Sequence, residues 1–523
     1  MGVFRSLLSL AAGAGVFFVP LVPSTRAESL ADAIALAYQS NPTLQSARAQ
    51  LRALDEDYVQ ARAGFRATAT LQAGPAYSST RQPVPGVGTL VSNTNAGALS
   101  LQLSQPIYTG GRVSDAVDAA SLDVAAGREG LRVTEAQVIL SVVQAYEDVR
   151  RDEQILKVYA DQVDVLQSQL DEAKARRAVA VNTRTDVEQS QTQLESARAQ
   201  RLLAEAQLRV SRSNYVAAVG QNPGSLAVEP GLPGLPADSD HAFDDAEAES
   251  PVLGRAKETE AASRRRIAEA RAAGMPSAAL TASLGYSGPI NPLDANRYAQ
   301  SLSAGLQITQ PILTGGLVAS GVRQAIELNN SDRIGIEAAR RAVIQSVAQA
   351  YNLALANRRA AEADARAAEV AQRYFLDTQT EYKAGQRSTL DVIVAQETWR
   401  DAEIARLDAV HDAYVAEASL LAAMGRLEAR RLVADISLYE PAKAFQAVAN
   451  KGWEPLEAVA SVLDRAAPGA GRVQSLPAPA ADLKPSSIEG APIPPDAPFS
   501  RFDPTVPLPG SVSPMTPSRV GEP

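Results

Sequence analysis

Gln105-Pro106-Ile107, closely followed by Thr109-Gly110-Gly111, returns 205 residues later as Gln310-Pro311-Ile312 followed by Thr314-Gly315-Gly316. The same interval carries Ser141-Val142-Val143-Gln144-Ala145-Tyr146 onto Ser346-Val347-Ala348-Gln349-Ala350-Tyr351. It also carries Asp186-Val187 onto Asp391-Val392 and Gly220 onto Gly425. One spacing held over so long a stretch means two copies of one structural unit in tandem.

Each Gln-Pro stands between two kinds of pattern. Before it, apolar and polar residues alternate. Leu99, Leu101 and Leu103 are separated by Ser100 and Gln102, and Leu302, Ala304, Leu306 and Ile308 by Ser303, Gly305 and Gln307. Ala67–Gly74 and Leu280–Tyr286 alternate in the same way. A period of two gives strands with one apolar and one polar face. They form two hairpins, with turns expected near Ser78–Asn95 and Ser287–Asn296, where Gly, Pro, Asn and Ser gather. Strands of about ten residues cross a bilayer at a tilt. Four strands cannot close a barrel, and open edges are not tolerated in hydrocarbon. The chain must therefore oligomerise; eight, twelve or sixteen strands all satisfy that requirement.

After each Gln-Pro the pattern turns helical. Pro106 and Pro311 end the ladder, and Gly110, Gly111, Gly315 and Gly316 permit an unusual backbone path into the helix. Proline-free runs from about Val113 to Arg177 and from Val318 to Tyr382 predict helices on the order of 100 Å long. Val142, Val149, Leu156, Val163 and Leu170 recur every seven residues, and Ala395, Ala402, Ala409, Ala416 and Ala423 form a second seam. That repeat is the mark of a coiled coil. Upstream, Ser29 with Asp32 reads as a capping box, and Asn41-Pro42 and Ser250-Pro251 as matching helix breaks.

The expected organisation follows. Residues 1–27 read as a signal peptide, with charged Arg5, an apolar stretch Leu7–Val22 and a processing site at Thr25-Arg26-Ala27. Residues 28–220 are the first repeat, 221–243 a linker rich in Pro, Gly and Asp, and 244–427 the second repeat. Residues 428–465 are a C-terminal segment expected beside the linker as an equatorial girdle, Trp453 included. Residues 466–523 are a Pro-rich tail, read as disordered. The fold class is an α+β membrane protein, a long coiled-coil helical barrel continuous with a transmembrane β-barrel.

Composition excludes much. The chain has no cysteine, which removes disulfides, thiol catalysis and thiolate metal sites. His241 and His411 stand in no metal-binding spacing and read as satisfied surface or interface residues, so no cofactor or metal is expected. A net charge of −9 argues against a nucleic-acid partner. No Gly-x-Ser-x-Gly elbow or phosphate loop occurs, and the chain reads as no enzyme. A periplasmic coiled-coil adaptor is the rival reading, but adaptors lack paired strand hairpins between their helices.

Taken in order, these motifs resemble the TolC-type outer-membrane channels of type I secretion and multidrug efflux. The features are Leu30-x-x-Ala33 through Asn41-Pro42, the paired Gln-Pro…Thr-Gly-Gly units, and Tyr382-x-x-Gly385-x-Arg387-x-x-x-Asp391-Val392. The resemblance covers roughly residues 28–427. It implies a homotrimer with a twelve-stranded barrel in outer-membrane lipid and a twelve-helix cylinder, with the C-terminal tail, in the periplasm. It further implies a passive conduit served by a periplasmic adaptor and an inner-membrane ABC or proton-driven transporter, an RND-type multidrug pump being the alternative to secretion. By position, Tyr382 and Arg387 match the family's gate residues, Thr185 and Asp186 their partners, and Asp391 an acidic ring; the family's second acidic position is Val394 here. The same aspartates also fit helix starts, Thr183 with Asp186 and Ser388 with Asp391, and both roles stay open.

Overall fold

The architecture comes from a computed structural model, which describes residues 27–180, 183–290, 298–434, 436–452 and 454–467. Most of the stretch expected to be a signal peptide, up to residue 26, lies outside the described residues, as do Trp453 and the tail from residue 468.

The chain opens with α1 (Leu30–Ser40) and α2 (Pro42–Ala63). Ser29 and Asp32 cap α1 reciprocally, the amide of Asp32 donating to Ser29 Oγ and that of Ser29 to Asp32 Oδ2. Asn41 ends α1 and begins α2, its side chain accepting from the Thr43 amide while Pro42 takes the first helical position, where no N–H is needed. Two strands follow, β1 (Thr68–Val84) and β2 (Gly88–Tyr108), then α3 (Arg112–Ala178) and α4 (Arg184–Val219). The second half runs α5 (Ser239–Glu249), α6 (Pro251–Ala272), β3 (Ser277–Pro289), β4 (Ala299–Thr309), α7 (Leu317–Lys383) and α8 (Thr389–Ala423). Three short helices close the described chain: α9 (Ala429–Leu432), α10 (Pro441–Ala449) and α11 (Pro455–Arg465). α2 and α6 have 22 residues each and α3 and α7 have 67 each.

The strands form one antiparallel sheet in the order β1-β2-β3-β4. Its register places Leu71, Leu101, Leu284 and Leu302 in one cross-strand row. The next row, on the other face, is Thr70, Gln102, Ser283 and Ser303. Leucines of the first row are open, Leu71 at 67% and Leu302 at 78%. An apolar face this exposed calls for a non-aqueous surrounding or a partner.

The first hairpin departs from the sequence reading. The region expected to turn, Ser78–Asn95, is mostly strand, and the reversal occupies only residues 85–87. Ser, Thr and Asn are tolerated because each finds a cross-strand partner, Ser78 opposite Thr94 and Thr80 opposite Ser92. Gly86 and Gly88, both at positive φ, supply the bend. The second expected turn, near Ser287–Asn296, falls largely on residues 291–297, outside the described residues.

α3 has two sets of neighbours along its length. Its strand-proximal half packs on α2 and α6, and its distal half on α4 and α8; α7 likewise takes α6 and then α8. Of the seven-residue repeats, Val142, Val149, Val163 and Leu170 on α3 and Ala395 and Ala416 on α8 are buried, Val163 and Leu170 against Leu194 and Ala197 of α4, while Leu156, Ala402, Ala409 and Ala423 are half-buried. The largest core gathers Tyr146, Tyr215, Ile34, Leu44 and Leu421 midway along α3. The segment expected as linker through residue 243 is helical from Ser239, because Asp238 caps α5 by accepting from the His241 amide.

The C-terminal segment divides. Leu427, Ala429, Leu432 and Val433 join the core with Leu226, Leu232 and Leu235 from the segment between α4 and α5. α10 and α11 do not stay there. α10 packs on α2, and α11 on β2 and α3. Among the described residues, no helix is long and apolar enough to cross a membrane.

Candidate gate and strand–helix junctions

Two hairpin tips stand far from the sheet, one between α3 and α4 and one between α7 and α8. At each, a hydroxyl residue starts the returning helix. The Asp186 amide donates to Thr183 Oγ1 at 3.2 Å, and the Thr183 amide to Asp186 Oδ2 at 2.8 Å. At the second tip the Ser388 amide and hydroxyl donate to Asp391 Oδ2 at 2.9 and 2.8 Å, and the Asp391 amide returns to Ser388 Oγ at 3.2 Å. These bonds hold the Asp391 carboxyl below the usual carboxylate range, the Ser388 amide first among them. The helix-start reading of both aspartates is therefore met by geometry within one chain.

Tyr382 and Arg387 do other work. Arg387 Nε donates to Glu381 Oε2 at 2.8 Å, with both side chains nearly half exposed. The Arg176 guanidinium, at the end of α3, sits 4.7 Å from the centre of the Tyr382 ring. Thr389 Oγ1 lies 3.5 Å from the Tyr382 hydroxyl. Within the chain, then, the partners of Arg387 and Tyr382 are Glu381 and Arg176 rather than Thr185 and Asp186. Thr185 is exposed. Neither Glu381 nor Arg176 stood out in the sequence; charge sign beside a matched position was the signal that could have found Glu381. Gly385, at φ +76°, makes the turn. The Tyr382–Arg176 contact ties the two tips together, and the Arg387–Glu381 bond braces the second one.

At the opposite end, the two strand–helix junctions share their wiring. Gln105 Nε2 donates to the Phe65 carbonyl at 2.8 Å, and Gln310 Nε2 to the Gly274 carbonyl at 3.0 Å. Each also reaches the carbonyl of its following proline, Pro106 or Pro311. Gly110 cannot be replaced without a shift, because a Cβ there would lie 2.5 Å from Met275 Cβ. Gly111, Gly315 and Gly316 all hold positive φ.

The junctions differ in what covers them. At the first, the fully buried Asp464 of α11 accepts from the amides of Thr109, Gly111 and Ser114 at 2.6, 3.0 and 3.2 Å, and from the Thr109 hydroxyl at 2.9 Å. One carboxylate from the C-terminal segment thus caps α3. The anchor is reinforced by Glu457, which pairs with Arg62 and Arg66, and by Glu454, which accepts from the Ala67 amide. At the second junction Ile312, Leu313 and Leu317 are 93%, 92% and 76% exposed. Sequence reading found the junction residues but not Asp464, which sits in a stretch of weak pattern.

The histidines are both engaged. His241 Nδ1 lies 2.7 Å from Asp238 Oδ1 at the exposed start of α5. His411, on α8, stands between Asp412 at 2.9 Å and Asp148 of α3 at 3.0 Å. No group of His, Asp and Glu able to hold a metal ion occurs among the described residues.

The sequence profile of the outer membrane efflux protein family matches residues 33–221 and 242–426. The outer membrane efflux protein BepC of Brucella suis biovar 1 (strain 1330) is 30% identical over 451 residues, covering 86% of this chain and 97% of the relative. The outer membrane protein TolC of Escherichia coli (strain K12) is 26% identical over 430 residues, 78% of this chain and 85% of the relative. Among solved structures, the CmeC outer membrane channel of Campylobacter jejuni superposes with a TM-score of 0.68 at 16% identity, over 82% of this chain and 90% of that one. The outer membrane protein VceC of Vibrio cholerae gives 0.63 at 20% identity, over 76% and 96%. These likenesses show the fold.

Proposed function

The chain belongs to the outer membrane efflux protein family, and from that premise we propose that three copies close one export duct. Each copy contributes two tandem units and four strands. Twelve strands make a barrel in the outer membrane, and twelve helices continue it as a hollow cylinder through the periplasm. The duct is passive, without catalytic groups. A periplasmic adaptor joins it to an inner-membrane ABC or proton-driven transporter, which supplies the energy.

The observation that carries this reading is the sheet. It has a leucine face, a Ser, Thr and Gln face, and two unpaired edges at β1 and β4. A bilayer accepts such a sheet only when every edge amide is paired, and therefore only as part of a closed wall. The leucine face then meets lipid and the polar face lines water. Equal lengths of α2 and α6, and of α3 and α7, support two copies of one unit.

The tips close the periplasmic end. The Arg387–Glu381 bond and the Arg176–Tyr382 contact are both partly open to solvent, which makes them weak enough to give way when an adaptor binds. Three Asp391 carboxylates around a narrow opening favour cations over anions. The test is purification of the mature chain in detergent followed by reconstitution into planar bilayers. Trimeric mass and discrete, cation-selective conductance are expected; a compact water-soluble monomer overturns the reading.

A further inference from the structure

The interface between neighbouring subunits can be read from inside one chain. Along the sheet and the helices, the neighbours run α2, α3, α6 and α7, with α3 packed on α6. Among the described residues, α2 otherwise meets only the short helices α10 and α1, and α7 meets α8 and the short α5, so neither carries a second contact of the α3–α6 kind. The two open flanks, α7 on one side and α2 on the other, correspond to α3 and α6. The correspondence is gapless: α2 and α6 begin at Pro42 and Pro251, and α3 and α7 at Arg112 and Leu317, with equal lengths. The two glutamine bonds, Gln105 to Phe65 and Gln310 to Gly274, fix the same register at the strand end.

The α3–α6 contact includes an ion pair at its strand-proximal end. Arg265 of α6 reaches Asp118 of α3 at 3.5 Å and Asp115 at 3.8 Å. The residue of α2 that corresponds to Arg265 is Glu56, and the residue of α7 that corresponds to Asp118 is Arg323. Both are exposed. The signs are reversed but remain opposite. A cation facing an anion within the chain becomes an anion facing a cation between chains. The second internal pair, Arg266 with Asp123, does not recur, since its counterparts are Asp57 and Leu328.

We propose that the α7 flank of one subunit docks on the α2 flank of a second copy in the geometry of α3 on α6, with Arg323 paired to the partner subunit's Glu56. At the strand end the uncovered residues Ile312, Leu313 and Leu317 lie where the first junction meets the end of α6. The end of the partner subunit's α2 covers them, as Ala272 and Met275 cover Gly110. The sheet follows the same rule. Pairing of Leu103 with Ala282 and of Leu101 with Leu284 sets Ile308 opposite the partner subunit's Ala73 and Leu306 opposite the partner subunit's Pro75. The reversed polarity also discriminates against wrong pairings, because Glu56 against Asp118, or Arg323 against Arg265, sets like charges together. This inference rests on the trimer reading above.

The test uses the full chain in detergent, whose lack of cysteine gives a clean background. Glu56→Cys with Arg323→Cys, treated with a short bismaleimide, should give covalent dimers and trimers on a denaturing gel; either single cysteine variant should give none. Glu56→Arg and Arg323→Glu should each lower the temperature at which the trimer dissociates, and the double reversal should recover it. A monomeric wild-type chain overturns the trimer reading itself. A trimeric wild-type chain with no cross-link, or with a double reversal no better than the worse single variant, overturns this interface and leaves the trimer standing.

Discussion

Asp464 accepts the amide of Thr109 at 2.6 Å across 355 residues of sequence. The same carboxylate takes the amides of Gly111 and Ser114, while the Val113 amide turns to the Thr109 hydroxyl that Asp464 also holds, so one side chain organises the start of α3. Asp464→Ala leaves these buried amides without a partner, at a cost of about 2–4 kcal/mol. The expected outcome is a lower thermal unfolding midpoint together with faster proteolysis after residue 440, read in detergent. An unchanged midpoint would show that water replaces the carboxylate.

The leucine row predicts a strong asymmetry between adjacent residues of β2. On the proposal that the leucine row meets lipid, Leu101→Arg costs about 2–4 kcal/mol near the bilayer midplane. Gln102→Arg, one residue on, points to the opposite face and should be nearly silent. Yield of trimer after assembly into lipid vesicles measures both. Equal losses would count against the assignment of faces.

His411 makes stability depend on pH. Burial opposes its charge, but the carboxylates of Asp148 and Asp412 more than offset that and raise its pKa, with Arg151 opposing. Asp408 and Glu147 are the other acidic neighbours in the cluster. A raised folded-state value means that the stabilisation is complete below the unfolded value near 6.5 and is lost as pH rises through the folded one. The unfolding midpoint should therefore fall as pH rises from about 6.5 through the raised folded-state value. His411→Gln should flatten that slope, and a slope retained in the variant would assign it to another group.

The tips carry the gate prediction. Replacing Tyr382 and Arg387 together by alanine removes both the contact to Arg176 and the bond to Glu381, leaving the two capping boxes intact. Single-channel conductance in a planar bilayer should rise. Unchanged conductance in the double variant counts against a clasp at these residues.

Ser388→Ala separates the two roles of Asp391. Loss of the cap should destabilise the second tip by about 1 kcal/mol, seen as faster amide exchange in the first turn of α8. If cation selectivity persists in that variant, the carboxylate acts on the pore independently of its cap.

Much of the fold was legible because its signals are local. Asn41-Pro42 marks a helix break by sterics alone, and the seven-residue repeat from Val142 to Leu170 fixes a buried seam without knowledge of the partner helix. The capping pairs Ser29–Asp32, Thr183–Asp186 and Ser388–Asp391 lie three residues apart and are readable for the same reason. What escaped was long-range or permissive. Asp464 meets Thr109 only after the whole chain has folded, and nothing in the local pattern of α11 announces it. Ser78–Asn95 looked like a turn because its residues suit turns, yet the same residues accept a strand when a neighbour pairs with each. Arg176 and Glu381 were passed over because long coils are full of such charges, and only the geometry of the tip selects those two.

The strap formed by α11 serves one of the two places where strand becomes helix and leaves the other bare. Within one chain, opening the α3 junction therefore breaks the Asp464 bonds as well as the glutamine bond, while the α7 junction, at the start of a helix of equal length, lacks that carboxylate.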